Sequence, residues 1–330
     1  MLIGFIFLIL LIVFPEQAME GAMEGLRLCG TRVIPSLFPF FVASRLIASN
    51  MPRISWKGLN RLFGVSGNVL PALVLGFLGG YPVGVSTLTS LYRQSRISRQ
   101  DAERAMSFCN NTGPGLFIGL IGGSIFGSTA ASLALYFIHV ISALTCGFFL
   151  SGDGRNQVRQ QSIPEKLSVA KALSEAVAGA AQAMLQVCSF ILLFSALSGI
   201  LCSFRYISRL PGTIKAVFMG TLEITKGLSM LDASKAGFVA AAALMGWGGL
   251  CVHMQAMTLW QEAGLQPKGY FRGKFLHALL SAAFAALLCG EFYFSAGAAA
   301  LFLALVFLSR RIQKKQVENR KRLVYNEIAR

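Results

Sequence analysis

Phe108-Cys-Asn-Asn-Thr-Gly-Pro-Gly115 stands where a membrane-spanning helix is expected, with apolar residues on both sides from Ala102 to Met106 and from Leu116 to Ile125. Proline lacks an N–H and clashes one turn back, so this run cannot continue a regular helix. Hydrocarbon has no water for the freed backbone groups. Broken helices therefore survive at membrane depth only when buried in protein or lining a cavity. Transporters build their solute sites from such breaks. The run thus points to an all-α polytopic membrane protein, with transport as the leading function.

Working outward, composition agrees. The 330 residues are 55% hydrophobic and 13% charged, and mean hydropathy is +0.62. Abundant small residues allow the close helix approach that membrane packing needs. The net charge of +16 does not mark a nucleic-acid surface. It gathers in short loops and in a tail, 310–330, with eight Lys/Arg against two Glu, as cytoplasmic segments do. Seven cysteines in apolar surroundings, with no C-x-x-C pair, read as core residues rather than a disulfide framework or a metal site. There is no H-E-x-x-H, G-x-S-x-G or P-loop, so no enzyme is expected.

Apolar segments mark about eight spans, near 1–14, 30–49, 105–124, 128–150, 175–203, 236–259, 271–290 and 294–310. Stretches 67–90 and 213–232 are Gly-rich and read as either spanning or re-entrant. The organisation expected is an N-terminal span (1–15), a first repeat (16–150), a cytoplasmic linker (151–171), a second repeat (172–290), a last span (291–312) and a basic cytoplasmic tail (313–330). The repeat rests on ordered matches. Ala18–Ser49 slides by 154 positions onto Ala172–Ser203 without a gap, Phe137-Ile-His139 faces Phe275-Leu-His277, and the break at 110–115 falls near Gly246-Trp-Gly-Gly249. The basic linker and tail place both in the cytoplasm, so 128–150 runs inward, while 271–290 starts beside Lys268, Arg272 and Lys274 and runs outward. The halves are then inverted repeats. Arg205, Arg209 and Lys215, left outside, violate this topology.

The candidate substrate residues follow from the breaks. At the first, Asn110, Asn111 and Thr112 offer side-chain hydrogen bonds, Thr112 reads as an N-cap, and Gly113 lets a ligand approach the backbone. At the second, Gly248 and Gly249 open a half-helix that carries His253 and Gln255. Two helix N-termini meeting at mid-depth would cradle an anion. Glu223, with Thr225 nearby, is a carboxylate at membrane depth and so faces either a pathway or a partner such as Lys226. Gly79-Gly80-Tyr81-Pro82 reads as the tip of a re-entrant loop, gating or structural. His139 and His277 read mainly as satisfied interhelical residues. A proton or Na+ as coupling ion and self-association are left open. The expected partners are a small solute and the bilayer.

With these residues assembled, the chain resembles the nucleoside-recognition (Gate) membrane family. The resemblance rests on Pro35-Ser-Leu-Phe-Pro-Phe-Phe41, Gly79-Gly-Tyr-Pro-Val-Gly84, Ile97-Ser-Arg-Gln-Asp-Ala-Glu-Arg104, Phe108-Cys-Asn-Asn-Thr-Gly-Pro114 and Gly248-Gly-Leu-Cys-Val-His-Met-Gln255, in order to about Gly290. It implies a fold similar to concentrative nucleoside transporters and movement of dipicolinate from mother cell to developing spore, across the outer forespore membrane. A nucleoside or other small solute, or a non-transporting scaffold in spore or envelope assembly, are the alternatives. The chain departs from the family pattern where Val85-Ser86 replaces Ala-Lys, and in lacking a second Asn-Asn-x-Gly-Pro.

Overall fold

The computed structural model describes residues 2–50, 56–118, 121, 125–150, 168–308 and 311. Most of the expected linker (151–167) and the basic tail (313–330) lie outside the described residues. Among the described residues there are helices and no strand. The first half contains α1 (Leu2–Val13), α2 (Pro15–Leu28), a π turn (Cys29–Val33), α3 (Ile34–Asn50), α4 (Lys57–Phe63), α5 (Leu70–Gly79), α6 (Val83–Arg93), α7 (Arg99–Cys109), a short α8 (Pro114–Leu116) and α9 (Thr129–Phe149). The second contains α10 (Val169–Ser203), α11 (Arg205–Ser208), α12 (Gly212–Leu222), α13 (Ile224–Ser229), α14 (Lys235–Trp247), α15 (Gly249–Glu262) and α16 (Tyr270–Leu288). A final apolar helix, α17, covers Phe292–Leu308.

Four helices are long and apolar enough to cross a membrane: α9, α10, α14 and α15 taken together, and α16. A fifth is reached if α1 and α2, bent by 103°, count as one. This is a multi-pass membrane protein. Of the remaining expected spans, the last is a shorter apolar helix, Phe292–Leu308, and two others are interrupted rather than polar. Segment 105–124 is cut at 110–113, and 30–49 starts in the π turn and carries Pro39 inside α3. Several helices begin where the sequence supplies a cap. Ser98, Ser128, Ser168 and Ser234 each accept a backbone N–H at the start of α7, α9, α10 and α14, worth about 1 kcal/mol each.

Close packing fixes how the halves meet. A Cβ at Gly199 would strike the Gln17 carbonyl, one at Gly21 the Ser195 carbonyl, and one at Gly25 the Ser195 side chain, with the Ile191 carbonyl close behind. Cys29 Sγ faces the Cys188 carbonyl at 3.9 Å. Each turn forward on α2 thus meets a turn back on α10, so the matched segments 18–49 and 172–203 pack antiparallel on one another. His139 and His277, also matched, meet as a tilted pair with ring centroids 4.4 Å apart. Helix α16 lies at the centre, with Gly273 against Ser107 of α7 and Ala278 against Gly246 of α14.

Candidate functional site

Four breaks in helical structure converge. Gly80–Pro82 separates α5 from α6, Asn110–Gly113 separates α7 from α8, Glu223 separates α12 from α13, and the Gly248–Gly249 junction separates α14 from α15. The first two are pressed together. A Cβ at Gly76 or Gly84 would land on the Cys109 carbonyl, so only glycine lets the α5–α6 hairpin approach the end of α7. Gly248 and Gly249 have φ of +97° and +83°, the left-handed region where side chains are strained.

One side chain unites these parts. Lys274 of α16 is fully buried. Its ammonium donates to the Asn110 carbonyl (2.9 Å) and to the Tyr81 hydroxyl (3.1 Å), and lies 3.2 Å from His277 Nδ1. His277 Nε2 sits 3.0 Å from the His139 carbonyl, an acceptor. That places the imidazole proton on Nε2 and leaves Nδ1 to accept from the lysine. Tyr81 in turn donates to the Met245 carbonyl (3.0 Å), which also accepts from Thr112 Oγ1 (3.3 Å). The Thr112 N–H donates to His139 Nε2 (3.1 Å). Asn110 Nδ2 donates to the Tyr270 hydroxyl (2.8 Å), which lies 3.1 Å from His253 Nδ1. Lys274 makes no ion pair among the described residues, and each of its three partners is neutral. An ammonium in such surroundings is costly unless each proton is held, and here carbonyl, hydroxyl and imidazole hold all three.

A cavity of about 750 Å³ opens beside this network. Of the residues expected from sequence, Gly79, Gly80, Tyr81, Thr112, Gly113, Glu223, Thr225 and Gln255 line it. Asn110, Asn111, Pro82, Gly248, Gly249 and His253 do not. Asn110 and His253 belong to the hydrogen-bond network, while Asn111 Nδ2 turns back to the Phe108 carbonyl (2.7 Å). The Oδ1 atoms of Asn110 and Asn111 and Nε2 of His253 are buried without a partner. The Tyr81 ring lies over Gly248, and Ile224 and Gly220 crowd Gly249, so the start of α15 faces protein. His139 and His277 are interhelical, in contact with one another.

Two expectations are corrected. Thr112 does not cap α8: the cap position is Gly113, with no side-chain hydrogen bond, because the Thr112 hydroxyl is drawn across to Met245. Glu223 does not pair with the Lys226 ammonium, which binds Glu24 instead (2.6 Å). The Glu223 carboxylate caps α13, accepting from the Thr225 N–H, the Thr225 hydroxyl and the Lys226 N–H.

Lys274 itself escaped sequence reading. It stands two residues after Arg272 and six after Lys268, and so counted as an interfacial charge. The available signal was spacing. Tyr270, Lys274, His277 and Ser281 recur at one helix face, and all four are buried.

Comparison with known proteins gives one curated relative to report. The chain is 26% identical to "Sporulation integral membrane protein YlbJ" of Bacillus subtilis (strain 168), over 84% of this chain and 79% of that protein. No family model matches the chain, and no solved structure does.

Proposed function

We propose that this protein carries a small anionic metabolite across the membrane, with dipicolinate as the first candidate, and that it acts in sporulation at the outer forespore membrane. The observation that carries the reading is the convergence of four helix breaks, three of which line one cavity. Backbone interrupted at membrane depth has this use in carriers. The likeness to a sporulation membrane protein supports the setting, and the ordered motifs of the nucleoside-recognition (Gate) family support the fold type. Antiparallel packing of the matched segments, and contact between matched histidines, support two inverted repeats, since a two-fold axis brings a segment against its own copy. Eight spans follow if the short helices on either side of the breaks cross in pairs. No enzymatic step is assigned.

The cavity suits a flat aromatic acid. Leu37, Phe40, Val187 and Ile191 supply apolar walls, and the Gln255 amide offers a hydrogen-bond donor, the Thr112 and Thr225 hydroxyls already donating to Met245 and Glu223. Lys274 supports a proton rather than Na+ as coupling ion, because its ammonium already holds the carbonyl of the broken segment, the ligand type Na+ uses in such carriers. Flux should therefore be unchanged when Na+ is replaced by N-methylglucamine; a loss of flux would assign Na+ the coupling role.

The test is uptake by purified protein in liposomes. Labelled dipicolinate should enter above the empty-liposome rate and uridine should not. Uridine entry without dipicolinate would favour a nucleoside carrier. Entry of neither would favour a membrane scaffold, and either result contradicts the proposal.

A further inference from the structure

A second cavity, of about 630 Å³, shares α3, α10 and α15 with the first and adds α6. On α3 the first cavity takes Pro39 and Phe40 and the second takes Ser44 and Arg45. On α6 the second takes Ser86, Thr87, Thr89, Ser90 and Arg93, beyond the Tyr81 tip. On α15 the first takes Cys251 and Gln255 and the second Leu259 and Glu262. Helix α10 lines both. One buried apolar cluster reaches both: Val187, Ile191 and Cys251 line the first cavity and Ala183 the second, with Phe41 and Val83 in the same cluster. The two cavities are neighbouring chambers with this cluster as an apolar septum.

The chambers differ in chemistry. The second is walled by hydroxyls and amides, among them Ser44, Ser90, Gln182 and Gln186, and holds two arginines. Arg93 has Glu262 at 3.9 Å, with both side chains about half exposed. Arg45 has no hydrogen bond or ion pair among the described residues, its Nε is buried, and Arg93 lines the same chamber. Its guanidinium rests on Gly179, where a Cβ would strike it. A guanidinium outside any ion pair, in a chamber with a second arginine and hydroxyls, has the fork that binds a carboxylate, and the one carboxylate among the lining residues, Glu262, lies by Arg93. Arg93 of this chamber belongs to the basic stretch Arg93, Arg96 and Arg99, which the charge rule puts on the cytoplasmic side.

We propose that this second chamber is an anion-binding vestibule, in which Arg45 makes the first ionic contact with a small carboxylate-bearing solute. Its binding rests on its own geometry; its place on a route through the septum rests on the transport reading above.

The test is chemical protection in purified, detergent-solubilised protein, which needs no flux. A thiol introduced by Ser90→Cys is labelled with a methanethiosulfonate, and labelling at that position is followed by peptide mass. Benzoate and dipicolinate should slow the labelling, and uridine should not. Adding Arg45→Gln should raise the half-protecting concentration about ten- to a hundredfold, and Arg45→Lys should restore part of it. If Arg45→Gln does not elute as folded protein, Arg93→Gln serves, with a smaller rise expected. Absence of carboxylate protection, or protection equal in the arginine variants, overturns the vestibule. Protection without uptake by liposomes would leave the vestibule standing and remove the transport reading. Uptake without protection would do the reverse.

Discussion

The two deepest helix breaks solve one problem by different means. At Asn110–Gly113 the freed backbone is held by side chains from two other elements: Lys274 of α16 takes the Asn110 carbonyl and His139 of α9 takes the Thr112 N–H, while Tyr270 of α16 holds the Asn110 side-chain amide. At Gly248–Gly249 the chain has no side chain to offer and turns on two left-handed glycines. Its freed carbonyl at Met245 is served by Tyr81 and Thr112, both from the first half. The first break thus draws on side chains of the second half, and the second is a bare turn served by side chains of the first. The two breaks have divided the work.

That division can be broken at graded points. The largest effect is expected where the first break meets its hairpin. In Gly84→Val the new side chain would occupy the space of the Cys109 carbonyl, a backbone atom that cannot give way. Folded protein should be lost, as read by size-exclusion elution after extraction, whereas Val85→Ala should remain extractable. Next comes Gly249→Ala. A non-glycine residue at φ +83° costs roughly 1–2 kcal/mol, and the methyl would sit 3.1 Å from the Ile224 nitrogen. A lowered melting temperature with retained folding is expected. An unchanged one would mean the second break tolerates side chains and the comparison fails.

Asn110→Ala should be milder, costing about 0.5–1.5 kcal/mol for its hydrogen bond to Tyr270, measured by thermal unfolding. Asn111→Ala should cost no more, since its amide bonds only the Phe108 carbonyl nearby. If Asn111→Ala were the worse of the two, the network would be wrongly centred on Lys274. Smallest is Glu24→Gln at the cavity rim. The Glu24–Lys226 pair is partly exposed, and such pairs contribute about 0–1 kcal/mol. A shift in melting temperature comparable to Gly249→Ala would show that this pair closes the chamber rather than decorating its rim.

Much of this was legible in the chain. Proline, glycine and asparagine within apolar runs announced both deep breaks, because local chemistry alone forbids a regular helix there. The Gly79–Pro82 tip was legible for the same reason. Glu223 was visible as an anomaly but its role was not: a carboxylate at membrane depth can cap a helix as well as face a solute, and sequence does not say which N–H groups lie within reach. Thr112 shows the same limit, since its hydroxyl serves a carbonyl 133 residues away. Lys274 was hidden by its basic neighbours. How deep α16 sits against α7, α9 and α14 decides its burial, and that is a property of packing rather than of local pattern.

The most direct test of the claim that the cavity holds a small acid is equilibrium binding of labelled dipicolinate to purified wild type and to Gln255→Leu. Gln255 lines the cavity, is buried, and its amide bonds only the Cys251 sulfur at 3.3 Å, so the substitution spares the Lys274 network. The account predicts saturable binding by wild type and affinity about tenfold weaker in Gln255→Leu, with unchanged elution. No binding by wild type, or equal affinity in both, would contradict it.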